Sequence, residues 1–149
     1  MNNAIDKSKE LRGSITLVNE KLQFKGTVEG NAPVLIDYVP PLGDNQGYTS
    51  LELLLLSLSS CIGSAVLVIL RKMQKTIKTF EISSVGYRKL EHPTGFKTIG
   101  LEIMIQSDNI TSDDMVKVIK IAEGICPVLS MLKGNVEIAY TYKIKNLND

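Results

Sequence analysis

The stretch Thr49-Ser50-Leu51-Glu52-Leu53-Leu54-Leu55-Leu56-Ser57-Leu58-Ser59-Ser60-Cys61-Ile62-Gly63-Ser64 decides the fold. Thr49 and Glu52 have the spacing of a capping box, in which hydroxyl and carboxylate each accept one of the first free amides of a helix. From Leu53 to Leu70 no residue is charged, and Arg71 and Lys72 follow. The pattern predicts a helix to about Gln74, roughly 37 Å long at 1.5 Å per residue. Such a run is long enough for a membrane span with a basic flank. Against that reading stand Glu52 at its opening and a high density of hydroxyls, Ser57, Ser59, Ser60 and Ser64. A helix apolar on nearly every face is also what the buried centre of a soluble protein requires. The expectation is therefore a soluble central helix and no membrane. Its length exceeds the core of a 149-residue monomer, which points to burial across a subunit interface.

Working outward, Gly13 to Glu29 reads as two strands joined at Asn19-Glu20-Lys21, with Ile15, Leu17, Leu22 and Phe24 alternating as in a half-covered hairpin. Val34–Tyr38 is a third strand, followed by the loop Pro40-Pro41-Leu42-Gly43-Asp44-Asn45-Gln46-Gly47. After the helix, Phe80–Arg88 alternates with a bulge expected at Ser83-Ser84. Glu91-His92-Pro93-Thr94-Gly95 turns the chain, and Phe96–Ile105 returns. Thr111-Ser112-Asp113-Asp114 caps a helix through Ile121 or Glu123, with Gly124 marking its end. Pro127 at the first helical position opens a short helix to about Leu132. Val136–Ile144 is the last strand. The order βββ-α-ββ-α-α-β predicts an α+β fold with antiparallel sheets, organised as a polar extension over residues 1–12 and a single domain over residues 13–146.

Bulk properties exclude several function classes. A net charge of +1 and an absence of Trp give no footprint for nucleic acid. The first ten residues are polar and lack the apolar core of a signal peptide, so a cytoplasmic, reducing setting is expected. No phosphate loop, dinucleotide turn or metal-ligand cluster occurs, so no cofactor and no metal are expected. The single His92 lies beside a proline in a turn, which leaves no base for a serine-hydrolase triad. The two cysteines remain. Cys126 precedes Pro127, so it sits at a helix N-cap where free amides and the dipole stabilise a thiolate. Cys61 is mid-helix, where burial alone raises its pKa, and it needs a charge or donor supplied from elsewhere. On these grounds alone, either thiol is a candidate nucleophile or a small buried hydrophobe.

Thr49-Ser50-Leu51-Glu52-Leu53-Leu54-Leu55 followed by Ser59-Ser60-Cys61 resembles the first cysteine segment of the OsmC/Ohr family of osmotically inducible and organic-hydroperoxide-resistance proteins. Ile125-Cys126-Pro127-Val128 resembles the family's second cysteine motif, and the likeness extends from about Gly13 to Ile144. The resemblance implies an OsmC-like fold in an intertwined homodimer, with sheets wrapped around the central helices. It also implies a peroxidase in which Cys61 attacks a hydroperoxide and becomes a sulfenic acid. Cys126 then closes a disulfide with it, and an external dithiol reductant restores both thiols. Glu52 would complete the catalytic set.

Two departures from the peroxidase branches stand out. Their activating arginine lies in the N-terminal hairpin, whereas the matching turn here is Val18-Asn19-Glu20-Lys21, with Arg12 several residues earlier. Lys21 lacks the guanidinium fork. Their glutamate falls at the position of Leu51, and the one-residue displacement to Glu52 turns a helical side chain by about 100°. Glu52 is thus equally a helix cap. The leading expectation is an OsmC-like thiol peroxidase acting on organic hydroperoxides in oxidative-stress defence. The alternative is a non-catalytic protein of the same fold that binds an apolar small molecule at the dimer interface.

Overall fold

The structure, a computed structural model, describes residues 6–146. The first five residues of the expected polar extension lie outside the described residues. The elements are β1 (Gly13–Leu17), β2 (Phe24–Val28), β3 (Val34–Ile36), α1 (Ser50–Lys72), β4 (Thr79–Arg88), β5 (Phe96–Gln106), α2 (Ser112–Ile125), α3 (Pro127–Leu132) and β6 (Glu137–Lys145). This is the expected α+β order. The chain divides into two compact units, one up to Leu53 and one from Leu54 onward, so the boundary falls within α1.

In the first unit β1, β2 and β3 form an antiparallel sheet in that order, with Ile15 opposite Gly26 and Phe24 opposite Ile36. The Asn19 carboxamide shapes the β1–β2 turn by accepting the amides of Lys21 and Gln23. Ile15 and Leu17 are 62% and 52% exposed, so the hairpin expected to be half-covered leaves all of β1 uncovered. The third strand ends at Ile36, two residues earlier than its composition suggests. Asp37 leaves the ladder because its fully buried carboxylate organises the following loop. It accepts the amides of Tyr38 (2.8 Å), Asp44 (3.2 Å) and Gln46 (3.0 Å) and faces the Gln23 amide at 3.4 Å. A Cβ at Gly43 would overlap that carboxylate, so the loop requires glycine there.

The capping box that starts α1 is present. The Thr49 amide donates to Glu52 Oε2 at 2.6 Å and the Glu52 amide donates to Thr49 Oγ1 at 3.3 Å. At the other end Gln74 takes a left-handed conformation (φ 58°), and the Lys75 amide reaches back to Leu70 O at 3.0 Å. That closure satisfies carbonyls a helix end otherwise leaves free.

The second unit holds the core. Along α1, Leu58, Ile62, Val66 and Leu70 form a four-residue-spaced ridge that is fully buried, each side chain contributing about 1.5–3 kcal/mol of transfer free energy. Gly63 lets α1 settle on β4, since a Cβ there would stand 3.2 Å from both Phe80 and Ile82 side-chain atoms. Ile99, Leu101, Ile103 and Ile105 supply the buried face of β5, and Met115, Val118 and Ala122 that of α2. The sheet order is β4-β5-β6. β4 and β5 are antiparallel, but β5 and β6 run parallel, which corrects the expectation of purely antiparallel sheets. The physical reason is the connection: α2 and α3 form a crossover that returns the chain to the same end of β5.

No bulge occurs at Ser83-Ser84. Pairing runs evenly through Ser83 opposite Glu102 and Ser84 opposite Leu101, and the irregularity falls at Tyr87/Arg88. Consequently Ser84 and Gly86 take the covered face while Val85 and Tyr87 point outward. Gly124 does not end α2, which continues to Ile125. Only 28% of the most apolar window of α1 is buried, and Leu56 and Val68 are about half exposed. The helix is long and apolar enough to cross a membrane by composition, yet its ridge lies in the core of a packed unit.

Candidate active site

Cys61 lies on α1 beside the buried ridge, between Leu58 and Ile62, and is half-buried. The nearby hydroxyls do not serve it. Ser59 Oγ donates to Leu55 O at 2.8 Å and Ser60 Oγ to Ser57 O at 3.0 Å, so both are spent on carbonyls of their own helix. An apolar recess runs alongside, walled by Leu56, Ser59, Ser60, Gly63, Ser64, Leu67, Phe80 and Ile82, and Cys61 is not part of its wall.

Cys126 occupies the junction of α2 and α3 and caps both helices. Its amide donates to Ala122 O at 3.0 Å, closing α2, and its Sγ accepts the Leu129 amide at 3.3 Å, opening α3 with Pro127 at the first position. The N-cap placement read from Cys126-Pro127 is therefore present, but the expected depression of its pKa is not. Burial of the thiol, which is 2% exposed, pushes its pKa up, and a side-chain hydrogen-bonding interaction with Cys61 pushes it the same way. The Leu129 and Val128 amides oppose this and lose. A helix of six residues, met by a weakly accepting sulfur, does not offset the removal of water.

The influence of Cys61 on the Cys126 thiol puts the two cysteines in the same neighbourhood, one from mid-α1 and the other from the α2–α3 junction. Both cysteines are free. The other residues singled out in the sequence are engaged elsewhere. Glu52 holds the Thr49 amide in the cap of α1. Lys21 pairs with Asp44, and Arg12 pairs with Glu10 at 2.7 Å on an exposed surface. His92 is exposed in the β4–β5 turn.

Two residues near the thiols escaped the sequence reading. Glu123, one turn before Cys126 on α2, and Tyr140 on β6 act on each other electrostatically, and Cys126 acts on the same tyrosine. Burial first, then Glu123, then Cys126 hold the phenol well above its ordinary range. No local motif marks them. They meet only because β6 pairs in parallel with β5, setting Tyr140 opposite Leu101.

Comparisons with known proteins agree with this architecture. The model of the OsmC-like protein family matches residues 43–141, which contain both cysteines. Organic hydroperoxide resistance protein OhrA of Bacillus subtilis (strain 168) is 22% identical over 80 residues, covering 54% of this chain and 56% of OhrA. This chain thus spans little more than half the length of that relative. Among solved structures, an OsmC-like protein from Mycoplasma pneumoniae superposes with a TM-score of 0.80 at 19% identity, covering 92% of this chain and 98% of the other. The organic hydroperoxide resistance protein OhrB of Bacillus subtilis gives a TM-score of 0.64 at 17% identity, covering 90% and 98%. At these identities the superpositions speak for the fold. The match over two-thirds of the sequence places this chain in the family of OsmC-like proteins.

Proposed function

We propose that this protein is a cysteine-dependent peroxidase that reduces organic hydroperoxides. The observation carrying this reading is the shared neighbourhood of Cys61 and Cys126. Two neighbouring free thiols, one partly exposed and one buried, suit a division between an attacking and a resolving sulfur. The Cys61 thiolate attacks the outer oxygen of the hydroperoxide and breaks the O–O bond. The sulfur becomes a sulfenic acid and the alkoxide leaves as an alcohol after protonation. The Cys126 thiol then displaces hydroxide from that sulfur, giving a disulfide and water, and an external dithiol restores both thiols by exchange.

The preference for organic peroxides rests on the apolar residues that flank Cys61 on α1, the buried Leu58 and Ile62. The working assembly is a homodimer in the cytoplasm, with residues 13–146 acting as one functional domain. In its support, Ile15, Leu17, Leu56 and Val68 are about half exposed or more, a quantity of apolar surface that a second copy would cover.

Titration with cumene hydroperoxide tests the reading. The expected outcome is loss of both thiols with formation of one intramolecular disulfide, abolished in Cys61→Ser. Thiols that survive excess peroxide would sink it. The alternative, a non-catalytic binder of an apolar small molecule, draws on the recess along α1 and on the engagement of Lys21 and Arg12 with carboxylates of their own segment. It predicts saturable binding of an apolar dye with no thiol loss.

A further inference from the structure

Among the ion pairs of the described residues, one differs in its setting. Lys75 and Asp114 are 19% and 16% exposed, whereas every side chain in the other pairs is at least 36% exposed. Lys75 Nζ donates to Asp114 Oδ2 at 2.6 Å and to Asn109 O at 2.8 Å. The same carboxylate oxygen accepts the Thr111 amide and the Thr111 hydroxyl, each at 2.9 Å, as part of the cap of α2. Alongside, Asn109 Oδ1 accepts the Thr76 amide at 2.9 Å. The turn that follows α1 is thereby clasped to the start of α2. The hydrogen bond from Lys75, then that from the Thr111 amide, hold the Asp114 carboxyl down at about 2, so the pair is charged at neutral pH. An ion pair drawn partly out of water is weak evidence for stability, and fixing a register is its best-attested use.

The register at stake is that of the two cysteine-bearing helices. Cys61 lies 11 residues before Lys72, the last residue of α1, and Cys126 lies 12 residues after Asp114. At 1.5 Å per residue these are arms of about 17 and about 18 Å. Counted outward from the clasp, the two sulfurs stand at matching heights. Over such an arm a tilt of about 3° shifts a sulfur by about 1 Å, and a misplacement of that size costs an oriented reaction up to about 10²-fold.

We propose that Lys75 and Asp114 are positioning residues, whose clasp holds α1 and α2 in the register that lets Cys126 reach Cys61. The inference rests on the peroxidase reading for its chemical use. The clasp lies at the far end of both helices from the thiols and acts on closure of the disulfide through those helices. Attack on the peroxide needs Cys61 alone, so the clasp leaves that step unchanged.

The test compares Lys75→Met with Asp114→Asn. The first strands a carboxylate and the second keeps an acceptor for the Thr111 amide, so Asp114→Asn decides the matter where Lys75→Met does not fold. The first measurement is the effective concentration of the Cys61–Cys126 disulfide in glutathione buffers, which requires no peroxide. It should fall by about tenfold or more in both variants. Loss of stability alone does not move this quantity. Ile99→Val, which thins the buried face of β5, and Lys143→Met, which breaks the exposed pair with Glu102, should therefore match the wild type. A wild-type value in Asp114→Asn overturns the proposal, as does an equal fall in Ile99→Val. The second measurement uses cumene hydroperoxide. Asp114→Asn should consume the first equivalent at the wild-type rate, while the Cys61 sulfenic acid, trapped with dimedone, persists about tenfold longer. Absence of any sulfenic acid in the wild type instead overturns the peroxidase reading, and the glutathione measurement still decides the role of the clasp. A wild type that forms no disulfide at any glutathione ratio overturns both.

Discussion

Asp37 and Cys126 are two acidic groups in matching circumstances with opposite outcomes. Each lies at a break in the backbone, the first where β3 ends and the second where α2 gives way to α3, and each is almost fully removed from solvent. Each also accepts backbone amides. The Asp37 carboxylate gathers those of Tyr38, Asp44 and Gln46, and its pKa is lowered, the Gln46 amide contributing most. The Cys126 sulfur receives the Leu129 amide at 3.3 Å, and burial raises its pKa. Position at a turn or a helix start therefore does not decide whether an acid ionises. The number and strength of the donors that replace water decides it.

The largest expected effect comes from removing the acceptor where donors are most numerous. Asp37→Leu leaves three amides facing an apolar side chain, so the loop from Tyr38 to Tyr48 should lose its fold. Limited proteolysis should cut there far faster than in the wild type, and an unchanged digestion pattern would mean the amides find other partners. Next in size is Cys126→Asp. Aspartate is a better N-cap than cysteine by peptide scales. If donor supply decides, a carboxylate in this dry, sparsely donated position should lower the urea midpoint at pH 7 and recover part of it at pH 4, where the group is protonated. A gain in stability at pH 7 would break the comparison.

The smallest effect is a pair of pH limbs. The folded pKa of Asp37 lies below the ordinary 3.8, so its contribution is complete above that value and is lost as the pH falls through the folded value. The folded pKa of Cys126 lies above the ordinary 9.0, so its contribution is complete below that value and disappears as the pH rises beyond it. Urea midpoints against pH should show Asp37→Asn flattening the acid limb and Cys126→Ser flattening the alkaline limb, each without affecting the other.

These two sites also mark what could be read in advance. The capping box of Thr49 and Glu52, the apolar ridge of α1 and the Cys126-Pro127 junction are local patterns, and local patterns survive folding. The carboxylate of Asp37 ends a strand by recruiting amides as far away as Gln46, which no window of alternation reveals. The Ser83-Ser84 bulge was inferred from hydrophobic alternation, yet the register kept even pairing and left Val85 and Tyr87 outside. The candidate site divides in the same way. Its cysteines are visible as motifs, whereas Tyr140 and Glu123 enter through the parallel pairing of β6, a non-local event. The sign of the Cys126 shift was misjudged because a helix start is visible in sequence and desolvation is not.

The Cys126 sulfur is also the side-chain cap of α3. A sulfur that turns away from the Leu129 amide to bond another sulfur withdraws that cap, and a helix of six residues has little else at its amino end to hold it. If the proposed disulfide forms, the chemical state of the thiol is coupled to the order of a surface segment. Whatever recognises the exposed turn of Pro127, Ser130 and Met131 would meet a firm helix in one state and a frayed one in the other. A redox event in the interior would then be legible from outside as a change in backbone protection.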